Sequence, residues 1–133
     1  MKYYLDTNTC IYFLKGLYPV LLNRIMSQNP DDIKIASMVK AELLYGAHRS
    51  QRSKENIEKV EQFLLPFEIV PFGNNAAEQY SKIRSALERA GTPIGPNDLI
   101  ISATALANNG VLVTNNEKEF NRISDLIIEN WIK

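Results

Sequence analysis

Apolar positions along the chain change period repeatedly, and each change marks an element. Residues 2–5, Lys-Tyr-Tyr-Leu, read as a short buried strand. After Asp6-Thr7-Asn8, apolar residues resume at Cys10 to Leu14 as a short helix. Pro19 suits the first turn of a helix that carries Val20, Leu21, Leu22, Ile25 and Met26. "NPDD" at 29–32 predicts a turn, and Ile33-Lys34-Ile35 a second strand. Ser37 has the chemistry to cap a helix over 38–48. Ile57, Val60 and Leu64 share one face of a helix over 54–65, and Pro66 and Pro71 bracket a strand at 68–70. In the next helix Ala76, Tyr80, Ile83, Leu87 and Ala90 recur at spacings of 4, 3, 4 and 3. "AGTPIGPND" is a loop leading into a nearly all-apolar helix, 98–108, whose thin polar face predicts a central position. Asn109-Gly110 turns into a strand at 111–113, followed by a turn, a short helix and a last strand at 126–129.

Strands alternating with helices through short connections predict an α/β sandwich with a mainly parallel sheet, in one domain spanning 1–133. Such sheets place their sites at the carboxyl ends of the strands. Asp6 stands at one of these ends.

Composition narrows the picture in three ways. No apolar run approaches the length of a membrane span, and the N-terminus lacks the charged and apolar zones of a signal peptide. Cys10 is the only cysteine, so no internal disulfide forms; a reducing cytoplasm is expected, with Cys10 as a small packing residue. Fifteen basic and fifteen acidic residues cancel, so any contact with nucleic acid must come from a local patch.

Four polar stretches resist explanation by periodicity. Asp6 interrupts two apolar segments, where desolvating a carboxylate is costly. Capping of the following helix by Asp6, Thr7 or Asn8 is the plain explanation. Glu42 lies between Ala41 and Leu43, with Gly46 about 40° away on the same helical face. A glycine there lets a ligand or backbone approach closely, at a cost in helix propensity. Asp98 begins the most apolar helix, with small Ser102 one turn above it. A strand ends at Thr114-Asn115-Asn116, and Glu119 follows three residues after Asn116. Singly, Glu42 is an ordinary solvated residue, Asp98 a first-turn carboxylate favoured by the helix dipole, and "TNNEKEF" a turn. Together, they bring carboxylates to one edge of one sheet. Clustered negative charges need a compensating cation, and hard oxygen ligands favour Mg²⁺ or Mn²⁺.

"YLDTNTCI", "AELLYGAHRS", "GPNDLIISATAL" and "LVTNNEKEF", in this order across nearly the whole chain, resemble a PIN-domain ribonuclease, in particular the VapC toxins of VapBC toxin–antitoxin systems. The resemblance implies a three-layer sandwich around a sheet of about five strands in order 3-2-1-4-5. It implies metal-binding acids at Asp6, Glu42 and Asp98, with Thr7, Asn8, Thr114, Asn116 and Ser102 in support. It also implies a homodimer, inhibition by a VapB-type antitoxin, and assembly with it on operator DNA. One position departs from the pattern. Many relatives carry Asp where this chain has Asn116, so Glu119 is expected to supply the missing charge, with Glu117 turned to solvent.

The expected reaction is metal-assisted hydrolysis of RNA phosphodiester bonds, leaving a 5′-phosphate and needing no 2′-hydroxyl nucleophile. A structured RNA such as a tRNA is the first substrate to consider. Candidate phosphate contacts are Lys40, Arg49, Arg52 and Lys54, followed by Arg84 and Arg89. His48 lies about 240° around its helix from Glu42 and is given no role as a base. Aspartyl-phosphate chemistry would need a second Asp two residues after the first, and Asn8 stands there. The remaining rival is a non-catalytic PIN-like module that binds RNA or a partner, against which the three retained acids argue.

Overall fold

The computed structural model describes residues 1–133. In chain order the elements are β1 (Tyr3–Leu5), α1 (Thr7–Leu14), α2 (Pro19–Ser27), β2 (Ile33–Ala36), α3 (Ser37–His48), α4 (Ser53–Leu64), β3 (Glu68–Val70), α5 (Asn74–Arg89), α6 (Pro96–Ala107), β4 (Val111–Val113), α7 (Glu117–Phe120) and β5 (Ile127–Glu129). The five strands form one sheet in the order β3-β2-β1-β4-β5, and every pairing is parallel.

This order follows from how parallel strands connect. Each needs a crossover, and the helices between strands supply it while covering the sheet. β1 lies in the middle: β2 and β3 extend one way, β4 and β5 the other. The direction of winding therefore reverses between β1 and β4, which is where such a sheet opens a crevice at its carboxyl edge. Tyr4, Leu5, Ile33, Ile35, Leu112 and Val113 form the floor of a continuous core, closed above and below by residues such as Cys10, Val39, Leu43, Ile101 and Ala105.

α6 is as central as its composition predicts, with Ile101, Ala103 and Ala105 fully buried. Pro96 occupies its first turn, so Asp98 sits inside that turn and not ahead of it. One local expectation changes. Ser37 does not cap α3; Ala36 holds that position without a side-chain bond, because β2 runs directly into the helix and Ser37 is already its first residue. Within the apolar stripe of α5, Ala76, Ile83 and Leu87 are buried and α5 packs along α6, while Tyr80 stays partly exposed and Ala90 exposed. Cys10 is fully buried, and burial pushes its thiol well above the ordinary range, as befits a packing residue.

Candidate active site

Asp6 follows the last residue of β1 and Thr114 follows the last residue of β4, so the two side chains meet across the winding reversal. Asp6 is the N-cap of α1: its Oδ1 accepts the Thr9 backbone N–H at 2.9 Å. Capping uses only one oxygen. The other, Oδ2, accepts the Thr114 hydroxyl at 2.6 Å. Asp6 is 5% exposed, and burial pushes its carboxyl up against the opposing effect of those hydrogen bonds, with nearby Glu42 adding to the rise.

Glu42 projects from α3 toward the same place. Its Oε1 accepts the Thr7 hydroxyl and its Oε2 accepts Asn97 Nδ2 at 3.1 Å. Asn97 immediately precedes Asp98, so the first turn of α6 both orients Glu42 and supplies the third acid. Asp98 is half-buried and raised to about 7, first by desolvation, then by its hydrogen bond and charge contact with Glu119, then by Asp6 and Glu42. Glu119 is the fourth member. Its Oε1 accepts the Gly95 N–H at 3.2 Å and its Oε2 accepts Asn116 Nδ2 at 3.0 Å. Burial pushes Glu119 up, but the bonds from Asn116, Gly95 and Asp98 outweigh it and leave the carboxyl below its ordinary range. The two shifts run in opposite senses, so Asp98 is the easier of the pair to protonate and Glu119 the harder. A Cβ on Gly95 would lie 3.7 Å from Asp98 Oδ2 and 3.9 Å from Glu119 Oε1, so the glycine forms one wall of the acid pair.

Thr114 joins two parts of the cluster. Its hydroxyl donates to Asp6 and accepts the Asn116 N–H at 3.0 Å. Ser102 is fully buried one turn beyond Asp98, and its hydroxyl has no protein partner. Asn8 is exposed and takes no part in orienting Asp6; Thr9 does that, and Thr7 turns to Glu42 instead. Asn116 contacts Glu119 through its amide nitrogen. Glu117 points the other way, to Lys133 at 2.7 Å and Asn130 at 3.0 Å.

The basic candidates lie outside the cluster. Lys40, two residues before Glu42, leaves α3 about 200° around the helix. Arg49 lies over the Tyr45 ring, Arg52 pairs with Glu55 at 3.8 Å, and Lys54 is exposed at the start of α4. Arg84 is bound to Glu88 and Tyr80, and Arg89 is exposed near the end of α5. Sequence reasoning missed Thr9, Asn97 and the Gly95 N–H. Only Thr9 carried a local signal, since it stands at capping distance from Asp6.

The donor set suits a hard divalent cation. Four carboxylates face one another with no Lys, Arg or His among their hydrogen-bond partners. As placed, no three of these acids close around one point. Mg²⁺ is commonly held by one or two carboxylates, with water completing its shell.

A parallel sheet with a winding reversal, crowned by carboxylates at that reversal, defines a class of α/β domain whose acidic site lies at the carboxyl edge of the sheet. Residues 3–126 match the PIN domain family model. The chain is 42% identical to Ribonuclease VapC2 of Rickettsia felis, with the whole of both chains aligned. It is 38% identical to the tRNA(fMet)-specific endonuclease VapC of Salmonella typhimurium, covering 98% of each. The fold matches VapBC2 from Rickettsia felis bound to a promoter DNA fragment, with TM-score 0.90, 41% identity and coverage of 98% of this chain and 99% of that one. It matches DNA-bound VapBC from Salmonella typhimurium with TM-score 0.93 and 38% identity, over 98% of each. The chain belongs to the PIN domain family, among its VapC ribonucleases.

Proposed function

We propose that this chain is the toxin of a VapBC-type pair, an endoribonuclease that hydrolyses RNA phosphodiester bonds with Mg²⁺ or Mn²⁺. The convergence of Asp6, Glu42, Asp98 and Glu119 at the β1/β4 reversal carries the reading. A bound divalent ion there would activate water and stabilise the leaving 3′-oxygen. The chain's own residues prepare the place. Thr9 and Thr114 fix both oxygens of Asp6, and Thr7 and Asn97 fix both oxygens of Glu42. Asn116 and Gly95 aim Glu119 at Asp98, whose proton must leave before it can serve as an anionic ligand. Glu119 thereby supplies the charge that Asn116 lacks.

The Salmonella relative acts on tRNA(fMet), which makes tRNA the first substrate to test. Mapping RNA ends after brief expression tests the reading: new 5′-phosphate ends are expected with the wild type and none with Asp98→Asn. Equal cleavage by the variant would overturn it.

Related chains are crystallised as VapBC complexes on DNA, supporting a VapB-type antitoxin and operator assembly for this chain. A groove of about 530 Å³ between α1, α3 and α4, lined by Ile11, Leu14, Leu43, Gly46 and Val60 with Glu42 on its wall, suits an apolar helix carrying a basic side chain. From the α5 stripe, Tyr80 and Leu87 reach an open pocket with Pro93, Ile94 and Leu99, and this is the surface to examine for a homodimer. Light scattering at micromolar concentration should report two chains, and a monomer would refute the dimer.

A further inference from the structure

Tyr45 lies on the helix that carries Glu42 and is 65% exposed, so its ring contributes little to the core. Tyr45 is three positions after Glu42, placing the two about 60° apart around α3 and about 4.5 Å apart along its axis. One face of the ring is already occupied. The Arg49 guanidinium carbon lies 5.5 Å from the ring centroid, with Nη1 3.5 Å from the phenol oxygen. Arg49 is seven residues after Glu42, about 20° off its direction, so acid, ring and cation follow one line along the helix. Beside them Gly46 leaves open space: a Cβ there would meet nothing within 4 Å.

Single exposed aromatic residues are common and mean little alone. This ring differs by its company. It is held by a cation with no carboxylate partner, one helical turn from an acid of the cluster. A flat ring with a positive charge behind it suits a nucleobase on its free face and a phosphate beside the guanidinium. An RNA strand offers both a base and a phosphate at every nucleotide, and stacking accepts any base.

We propose that Tyr45, backed by Arg49, is a base-stacking subsite for an unpaired RNA nucleotide next to the bond that is cut. The subsite rests on the ribonuclease reading above. It binds substrate and takes no part in bond cleavage, and it favours single-stranded segments, whose bases are free to stack.

The test is stopped-flow anisotropy with dye-labelled single-stranded oligoadenylate RNA, set against an abasic ribose-phosphate chain of equal length. Wild type, Tyr45→Phe and Tyr45→Ala are compared in Mg²⁺. Tyr45→Ala should weaken oligoadenylate binding roughly tenfold, while Tyr45→Phe, which keeps the ring, binds as wild type does. All three should bind the abasic chain equally. Equal loss on the abasic chain, equal loss in Tyr45→Phe, or no loss in Tyr45→Ala would each overturn the subsite. Wild type that cleaves and binds RNA while Tyr45→Ala matches it sinks the subsite alone. Wild type that neither binds nor cleaves sinks the ribonuclease reading, and the subsite with it.

Discussion

Asp6 is the only acid among the buried residues, and it serves both as helix cap and as part of the cluster. Asn caps as well as Asp does, and its amide would leave Oδ1 on Thr9 in place. Asp6→Asn should therefore keep or raise the melting temperature while abolishing RNA cleavage, because like charges near Glu42 and Asp98 are relieved. A variant that simply unfolds would show the cap to be the whole role. Thr114→Val removes the 2.6 Å bond to Asp6 and should cost about 1–3 kcal/mol in urea denaturation, since a buried carboxylate oxygen loses its donor. Among the acids near the sheet edge, Glu119→Gln should weaken Mn²⁺ binding substantially by calorimetry. Asn116→Ala, which only frees one oxygen of Glu119, should cost less, and Glu117→Gln, at a solvent-facing ion pair, should be nearly silent. Asp6 was legible because it breaks an apolar pattern, whereas Glu42, Asp98 and Glu119 stood out only together and by the family resemblance. Their holders were not: Asn97 reaches Glu42 across 55 residues, a pairing no local pattern encodes.

At the scale of elements, apolar period located the amphipathic helices, while turn residues and prolines located short strands such as β4, which is buried throughout. These signals failed where neighbouring elements decide the outcome. Ser37 resembles a cap, but β2 continues to Ala36 and leaves it inside the helix. Gly110 shows the same limit at a turn, where it reads as a mere partner of Asn109. A Cβ there would overlap the buried Tyr4 ring, so its small size is a packing requirement. Gly110→Ala should destabilise the fold by about 1–3 kcal/mol in urea denaturation, as overpacking does. An unchanged midpoint would mean that the Tyr4 ring yields freely.

For the whole molecule, strand order was beyond any single segment. The order 3-2-1-4-5 was implied only by resemblance, yet it brings Asp6 and Thr114 together and thereby builds the site. The site in turn sets how stability varies with pH. Asp98 is raised to about 7, so the folded chain holds a proton that the unfolded chain releases near the ordinary carboxylate range. Where the folded state binds more protons, stability falls as pH rises. Without metal, the melting temperature should decline as pH climbs toward about 7, and Asp98→Asn should flatten that decline. Glu119 is shifted the other way, and its opposite contribution lies at more acidic pH. A metal ion must displace the Asp98 proton, so its affinity should weaken as pH falls below about 7. The most direct measurement of the central claim, that these acids cut RNA through a divalent ion, is a cleavage assay of the purified chain on tRNA. The account predicts cleavage in Mg²⁺, none in EDTA, full recovery when Mg²⁺ or Mn²⁺ is added back, and none at any metal concentration with Asp98→Asn. Undiminished cleavage in EDTA would contradict it.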